Sequence, residues 1–151
     1  MWKKLLIPSL EEAVLAIRIP LGVIFFAHGA QKVLGIFGGS GLDGTIQSFN
    51  EHLGIPAFLA VIASFTEFFG GIAVLFGFLT VLSSIGLAVV MLVAIFHVHL
   101  SSGFFLNWFN VPNVGHGIEY NLALLGMALF LVFYGPGKYS LDKLIARKLG
   151  E

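Results

Sequence analysis

The sequence predicts an all-α integral membrane protein, a bundle of four transmembrane helices with a short interfacial helix in its first outer loop. Hydrophobic residues make up 58% of the 151 positions and charged residues 11%, against about 25% charged in an ordinary soluble domain. Apolar stretches long enough to cross a bilayer recur along the chain. Lys and Arg are concentrated near its two ends. We therefore interpret residues 1–151 as one membrane domain.

The composition also excludes several classes of function. Because the formal net charge is zero, we expect no nucleic-acid partner, which would require clustered cations. The absence of cysteine excludes disulfides, thiol catalysis and cysteine-ligated clusters within this chain. Glu11, Glu12 and Arg18 interrupt the first apolar stretch, so we expect a retained membrane span there and not a cleaved signal peptide.

The first span is predicted at 13–34. It carries an unusual number of polar side chains for a membrane helix: Arg18, His28, Gln31 and Lys32. The loop 35–55 follows, and four apolar residues recur in it at helical spacing: Leu42, Ile46, Phe49 and Leu53. This spacing predicts a short amphipathic helix in the membrane interface.

The stretch 55–100 is apolar and contains a single acidic residue, Glu67, and no Lys or Arg. As one helix it would be about 69 Å long, more than twice the ~30 Å of the hydrocarbon core. It therefore predicts two spans, at 56–77 and 81–100. An ionised carboxylate at mid-depth costs about 2.5 kcal/mol or more, so Glu67 requires a partner.

A fourth span is predicted at 118–134, where Gly-Pro-Gly at 135–137 ends it. The loop 101–117 before it is rich in aromatic residues, which favour the headgroup level of a membrane: Phe104, Phe105, Trp108 and Phe109. The tail 138–151 is basic and amphipathic.

The distribution of positive charge predicts the orientation. Lys3 and Lys4 lie at one end and Lys138, Lys143, Arg147 and Lys148 at the other, and no Lys or Arg occurs between 33 and 137. By the positive-inside rule, both termini are cytoplasmic and both long loops lie outside. The predicted location is the cell membrane, the inner membrane where there are two.

Arg18 and Glu67 fall at neighbouring depths in successive spans, and they predict a buried ion pair. The structural interpretation is that this pair fixes which helix faces which. The functional alternative makes Glu67 a proton relay beneath the outer surface.

The same topology collects ionisable residues of three spans near the outer surface: His28, Lys32, His97, His99, His116 and Glu119. His116 and Glu119 have the i, i+3 spacing of a metal-binding pair, and His28 with His99 could serve as axial ligands of a haem. The non-functional alternative for each histidine is a residue at the headgroup level that is hydrogen-bonded to backbone or water. For His52 we adopt this alternative.

Several segments resemble the DoxX family of membrane proteins, in order and over nearly the whole chain. They are RIPLG at 18–22, FAHG at 26–29, TEFFGG at 66–71, His99 with GFF at 103–105, GIEY at 117–120 and GPGKYSLD at 135–142. The family comprises four-helix membrane bundles, among them the membrane subunit of a thiosulfate:quinone oxidoreductase. The resemblance implies a redox setting around membrane quinone.

We therefore expect a quinone-interacting membrane redox subunit, which leaves open whether the chain is itself an enzyme. His28, Lys32, His99 and Glu119 would donate hydrogen bonds and protons, and Phe105 and Trp108 would line the ring. Electrons would come from a soluble or membrane oxidoreductase partner. A non-catalytic anchor or assembly subunit is one alternative and a haem or metal carrier another. A homo-oligomer is compatible with either.

Overall fold

The structure, a computed structural model, describes residues 10–150, and within this range the chain forms helices joined by loops, without a strand. The helices are α1 (Leu10–Leu34), α2 (Gly41–Leu53), α3 (Ala57–Phe76), α4 (Thr80–Ala94), α5 (Glu119–Tyr134) and α6 (Leu141–Leu149). After α4 the chain continues in a π turn at Ile95–His99 and a 3-10 turn at Leu100–Ser102. The predicted all-α membrane fold class is confirmed.

Among the described residues, three helical segments are long and apolar enough to cross a membrane: α1, α3, and α4 with its extension to Ser102. Their bounds agree to within three residues with the predicted spans 13–34, 56–77 and 81–100. The fourth, α5, is apolar but has only 16 residues, or about 24 Å of helix. It covers the predicted span 118–134. The assignment of 1–151 to a single domain stays a prediction, and Lys3 and Lys4 lie outside the described residues.

The four long helices pack in the order α1, α3, α4, α5. The contact between α1 and α3 is the most extensive, and α1 meets α5 only sparsely. The core contains large apolar side chains of all four, including Leu21 and Phe25 of α1, Val74 of α3, Leu87 of α4 and Leu131 of α5.

Glycines allow α1 and α3 to approach until their backbones touch. A Cβ atom added at Gly22 would lie 2.8 Å from the Cβ of Leu75. At Gly29 it would collide with the backbone of Phe68, and at Gly71 with the backbone of Phe26. Small residues at such contacts are a general device for packing helices in lipid, where van der Waals contact replaces the hydrophobic effect.

Arg18 ties α1 to two other parts of the chain at one end of the bundle. Its side chain is buried and donates to four backbone carbonyls: Val74 at 2.9 Å, Leu75 at 3.0 Å, Pro136 at 2.7 Å and Tyr139 at 2.8 Å. The first two lie in the last turn of α3, whose carbonyls have no partner within the helix and attract positive charge.

Asp142 completes this end of the bundle. Its carboxylate accepts hydrogen bonds from the backbone N–H groups of Leu79 and Thr80 at 2.7 and 2.9 Å, and from the Thr80 hydroxyl at 2.7 Å. Its own N–H donates to the Gly77 carbonyl at 2.8 Å. The start of α6 thereby holds the turn between α3 and α4, and a carboxylate is well placed at the N-terminus of α4.

Two exposed ion pairs join the start of α1 to the last segment, Lys138 with Glu12 and Lys143 with Glu11, both at 2.8 Å. The hydrogen bond and the charge of Glu12 raise the pKa of Lys138 above its usual value. Exposed pairs of this kind add little stability. The hydrogen bonds of Arg18 and Asp142 therefore dominate this end of the bundle.

At the opposite end, α2 packs against both α1 and α3. The predicted apolar stripe (Leu42, Ile46, Phe49 and Leu53) is half-buried, and the outward positions Asp43, Gln47, Asn50 and Glu51 are exposed. Thr45 is buried, and its hydroxyl donates to the carbonyl of Lys32 at 3.3 Å. The predicted amphipathic helix is present, with its apolar side on the bundle.

The glycine contact predicts a specific sensitivity to one added methyl group. Gly29→Ala should lower the free energy of unfolding by about 1–3 kcal/mol, because the neighbouring backbone cannot move aside without opening the interface. The matched control is Gly126→Ala, since nothing lies within 4 Å of the added atom. Thermal unfolding in one detergent compares the two variants, and equal midpoints would contradict the proposed backbone contact.

Arg18→Lys should destabilise the bundle despite keeping the charge. A lysine ammonium lacks the planar fork that reaches carbonyls on two segments, and each carbonyl left buried without a partner costs about 1–3 kcal/mol. The control is Arg147→Lys in exposed α6. We expect a clear fall in the unfolding midpoint for position 18 only; a similar midpoint for both variants would refute this role.

Candidate functional site

The buried carboxylate Glu67 pairs with Lys32, not with Arg18. Glu67 is 4% exposed, and it receives a hydrogen bond and an ion pair from the ammonium group of Lys32. The predicted pair of Arg18 with Glu67 is therefore wrong. Arg18 instead donates to carbonyls in the last turn of α3, about two helical turns from Glu67.

The close antiparallel packing of α1 and α3 explains the observed pairing. Gly29 of α1 lies against Glu67 and Phe68 of α3, so Lys32 begins one turn beyond Glu67 and reaches back to it. The side chain of Lys32 retains 25% exposure. Glu67 is thus buried within the bundle, whereas Lys32 is partly exposed at its edge.

The second part of the candidate site is the loop that precedes α5. Its two ends are joined by backbone hydrogen bonds from Gly117 to Phe105 at 3.0 Å, from Ile118 to Gly103 at 3.1 Å, and from Glu119 to Phe104 at 2.9 Å. These bonds close residues 103–119 into a compact unit at the end of α4.

Glu119 holds this loop from within. One of its carboxylate oxygens accepts from the backbone N–H of Leu106 at 3.1 Å and from the indole N–H of Trp108 at 3.0 Å. The carboxylate also lies at the N-terminus of α5, where the helix dipole favours negative charge. Glu119 therefore positions Trp108, a role that the residue spacing alone did not reveal.

The histidines of α4 and the loop form a second set of contacts. The Nδ1 atom of His99 lies 2.8 Å from the carbonyl oxygen of His116, so this nitrogen carries the proton and donates. His116 in turn accepts at Nδ1 from the backbone N–H of Asn107 at 3.2 Å. His97 and His99 occupy the π turn, a feature that often marks a functional site in a helix.

The predicted site residues therefore fall into separate groups. His99, His116 and Glu119 share one loop framework, whereas Lys32 belongs to the pair with Glu67. Within residues 10–150, His28 is exposed on α1 and no hydrogen bond joins it to the other residues of the candidate site. The predicted convergence of His28, His99 and Glu119 in one pocket stays a prediction.

The aromatic residues proposed to line a ligand lie on the outer side of the loop. Phe105 is 73% exposed and Trp108 is 72% exposed. Phe105 stands edge-on to Phe104, with ring centroids 5.1 Å apart. An apolar surface of this kind at the end of a membrane bundle suits contact with headgroups, a partner protein or a ring-shaped ligand.

The metal and haem alternatives receive no direct support from side-chain clustering. Across residues 10–150, no group of three or more His, Asp or Glu side chains is close enough to hold an ion. The Nδ1 atom of His116 and one carboxylate oxygen of Glu119 are engaged with the backbone of the same loop. These residues, and the haem pair of His28 with His99, stay predictions.

The family model named DoxX matches residues 13–100, from the first span to the start of the 3-10 turn. The chain belongs to the DoxX family. Its relatives include the inner membrane protein YqjF of Escherichia coli, 32% identical, over 91% of this chain and 95% of the relative. The putative oxidoreductase CatD of Bacillus subtilis is 31% identical, over 91% and 90%.

A third relative is an uncharacterized membrane protein, Rv3486, of Mycobacterium tuberculosis. It is 30% identical, over 97% of this chain and 90% of its own length. No solved structure matches the chain significantly. Two of these three relatives are named as membrane proteins, which agrees with the long apolar helices of this chain.

The pair at the centre of this DoxX-family bundle makes a testable energetic prediction. Lys32→Met should destabilise the protein by about 3 kcal/mol, since it leaves the carboxylate of Glu67 buried without a partner. The double variant Lys32→Met/Glu67→Leu should recover most of the loss, because apolar replacement of both partners is well tolerated. Thermal or denaturant unfolding of the single and double variants tests this coupling.

Lys143→Met serves as the control, since it breaks an exposed pair of the same kind and should change stability little. A double variant no more stable than Lys32→Met would contradict the coupling.

Proposed function

We propose that this protein is the membrane subunit of a redox system that interacts with membrane quinone near the outer face of the bundle. The observation that carries this proposal is the Lys32–Glu67 pair, ionisable groups buried in an apolar bundle with one partner accessible from its edge. Ionisable residues at membrane depth are costly and generally functional. The relative CatD is named a putative oxidoreductase, which supports a redox role.

The chemistry of a quinone suits this arrangement. Reduction of a quinone to a quinol consumes two electrons and two protons, and a bound quinone needs a hydrogen-bond donor at each carbonyl. The Lys32 ammonium is such a donor, and Glu67 can take up or release the proton that it exchanges. His99 and His28 are further candidates, because the pKa of an ordinary histidine lies near neutrality.

The loop 103–119 completes the proposed site. Phe105 and Trp108 offer flat apolar surfaces for a ring, and Glu119 fixes the indole of Trp108. In this role Glu119 is a positioning residue. The electrons come from a partner oxidoreductase, since the chain has no cysteine and its ordinary side chains are not redox carriers.

The proposed orientation follows from the charge distribution. Lys138, Lys143, Arg147 and Lys148 lie at the end of the bundle that holds Arg18, and the positive-inside rule assigns this end to the cytoplasm. The Lys32–Glu67 pair and the aromatic loop then lie toward the outer face of the cell membrane.

A non-catalytic anchor or assembly subunit is the second candidate. It is favoured by one observation: Arg18, Asp142 and Glu119 all use their charged groups on internal backbone hydrogen bonds. In that case the exposed aromatic loop would be the docking surface for a partner. Co-purification of an oxidoreductase with a bundle that retains and binds no quinone would favour this alternative.

Quinone binding can be measured through Trp108, one of two tryptophans in the chain. In a Trp2→Phe background, short-chain ubiquinone added to protein in nanodiscs should quench Trp108 fluorescence with saturation. The double variant Lys32→Met/Glu67→Leu should weaken binding at least tenfold, and His28→Ala should weaken it severalfold, because both remove proposed donors.

The control variant is His52→Ala, which alters an exposed histidine of α2 and should bind as tightly as the background protein. Quenching that does not saturate, or equal affinity in all variants, would overturn the quinone proposal while leaving the anchor role standing.

A further inference from the structure

Helix α6 presents its apolar side outward. Leu141, Leu144, Ile145 and Leu149 are between 43% and 82% exposed. Successive residues turn by 100° in an α-helix, so these four side chains share one face. A helix whose apolar face is directed away from the protein requires an apolar surrounding on that side.

The polar side of α6 faces the bundle. Asp142 binds the turn between α3 and α4, and Lys143 pairs with Glu11 at the start of α1. These side chains and Ala146 line an open cleft of about 400 Å³ together with Tyr134 and Pro136. The inward polar contacts fix which side of α6 faces out.

Helix α2, at the other end of the bundle, has the opposite arrangement. Its apolar residues are half-buried against α1 and α3, and its outward residues are polar, such as Ser48 and Asn50. The outward apolar face is therefore particular to α6 and is not a general property of the amphipathic helices of this chain.

The hydrogen bonds of Asp142 also set the level of α6 relative to the membrane. They attach its first turn to residues 77–80, where α3 ends and α4 begins. Because α3 has 20 residues, it is about 30 Å long, the thickness of the hydrocarbon core. The start of α6 is thus held at the boundary between hydrocarbon and headgroups.

The charges of α6 specify the kind of surface that it contacts. Lys143 is neutralised by Glu11, whereas Arg147 and Lys148 form no ion pair within residues 10–150. At 100° per residue, Lys148 lies within the apolar face, between Leu144 and Leu141, and its long side chain can extend from there to the headgroups. Two cations beside an apolar face match an anionic lipid surface.

We propose that α6 lies in the lipid interface, with Leu144, Ile145 and Leu149 in the bilayer and Arg147 and Lys148 on the headgroups of anionic phospholipids. This contact of α6 with lipid is additional to that of the transmembrane helices, and it is independent of the quinone proposal. It would anchor the end of the bundle that is held together by Arg18 and Asp142.

Spin labelling tests the position of α6. Because the chain has no native cysteine, a label attaches only at the cysteine that is introduced. The full-length variants Leu144→Cys and Ser48→Cys are labelled in nanodiscs of phosphatidylcholine with phosphatidylglycerol. We expect the label at 144 to be reached by oxygen and protected from a water-soluble nickel chelate. The label at 48, an outward position on α2, should show the reverse.

Two outcomes would overturn the proposal. Nickel access at 144 equal to that at 48 would place α6 in water. Protection of 144 from both reagents would indicate that protein, and not lipid, covers this face.

The anionic preference has its own measurement. Each cation near an anionic surface contributes about a fivefold preference, so R147Q/K148Q should lose roughly thirtyfold of the preference for phosphatidylglycerol over phosphatidylcholine. Lipid bound to the detergent-purified protein reports this ratio by native mass spectrometry. An unchanged ratio would overturn the headgroup contact.

Discussion

The fold depends on one constraint: a polar group within the bilayer must find its partner inside the protein. Arg18 meets this constraint with four carbonyls from two distant segments, and Glu67 meets it with Lys32. The bonds of Arg18 to α3 and the pair of Lys32 with Glu67 both depend on glycines that bring α1 and α3 into backbone contact. The charged groups and the small residues of this bundle therefore form one interdependent set.

The sequence was sufficient to locate the helices, since apolar length and glycine or proline breaks determine where a span begins and ends. It also indicated that Glu67 needed a partner, but it selected the wrong cation. Depth alone cannot distinguish Lys32 from Arg18, because both side chains are long. The register of α1 against α3 decides the matter, and that register depends on where Gly29 meets Phe68.

The candidate site was predicted less completely than the fold. The sequence identified His99 and Glu119 as neighbours of the aromatic loop, yet it gave no sign that Glu119 binds the indole of Trp108. Contacts between a side chain and a loop depend on the path of the loop backbone. Unlike a helix, a loop has no repeating sequence pattern from which that path can be predicted. The exposed position of His28 could not be predicted for a similar reason. Which side of a helix is buried depends on the helices packed against it, and the sequence does not specify that packing.

The carbonyls around Arg18 have a consequence for biogenesis. Two of them belong to residues 136 and 139, and the latter is 121 positions further along the chain. On the ribosome, Arg18 leaves the exit tunnel long before these acceptors are made, and until then it needs water or the translocon as a substitute. The first helix therefore reaches its final position only after residues 136–139 have been synthesised and have left the tunnel, so the hydrogen bonds of Arg18 to these carbonyls form late in the biogenesis of the bundle.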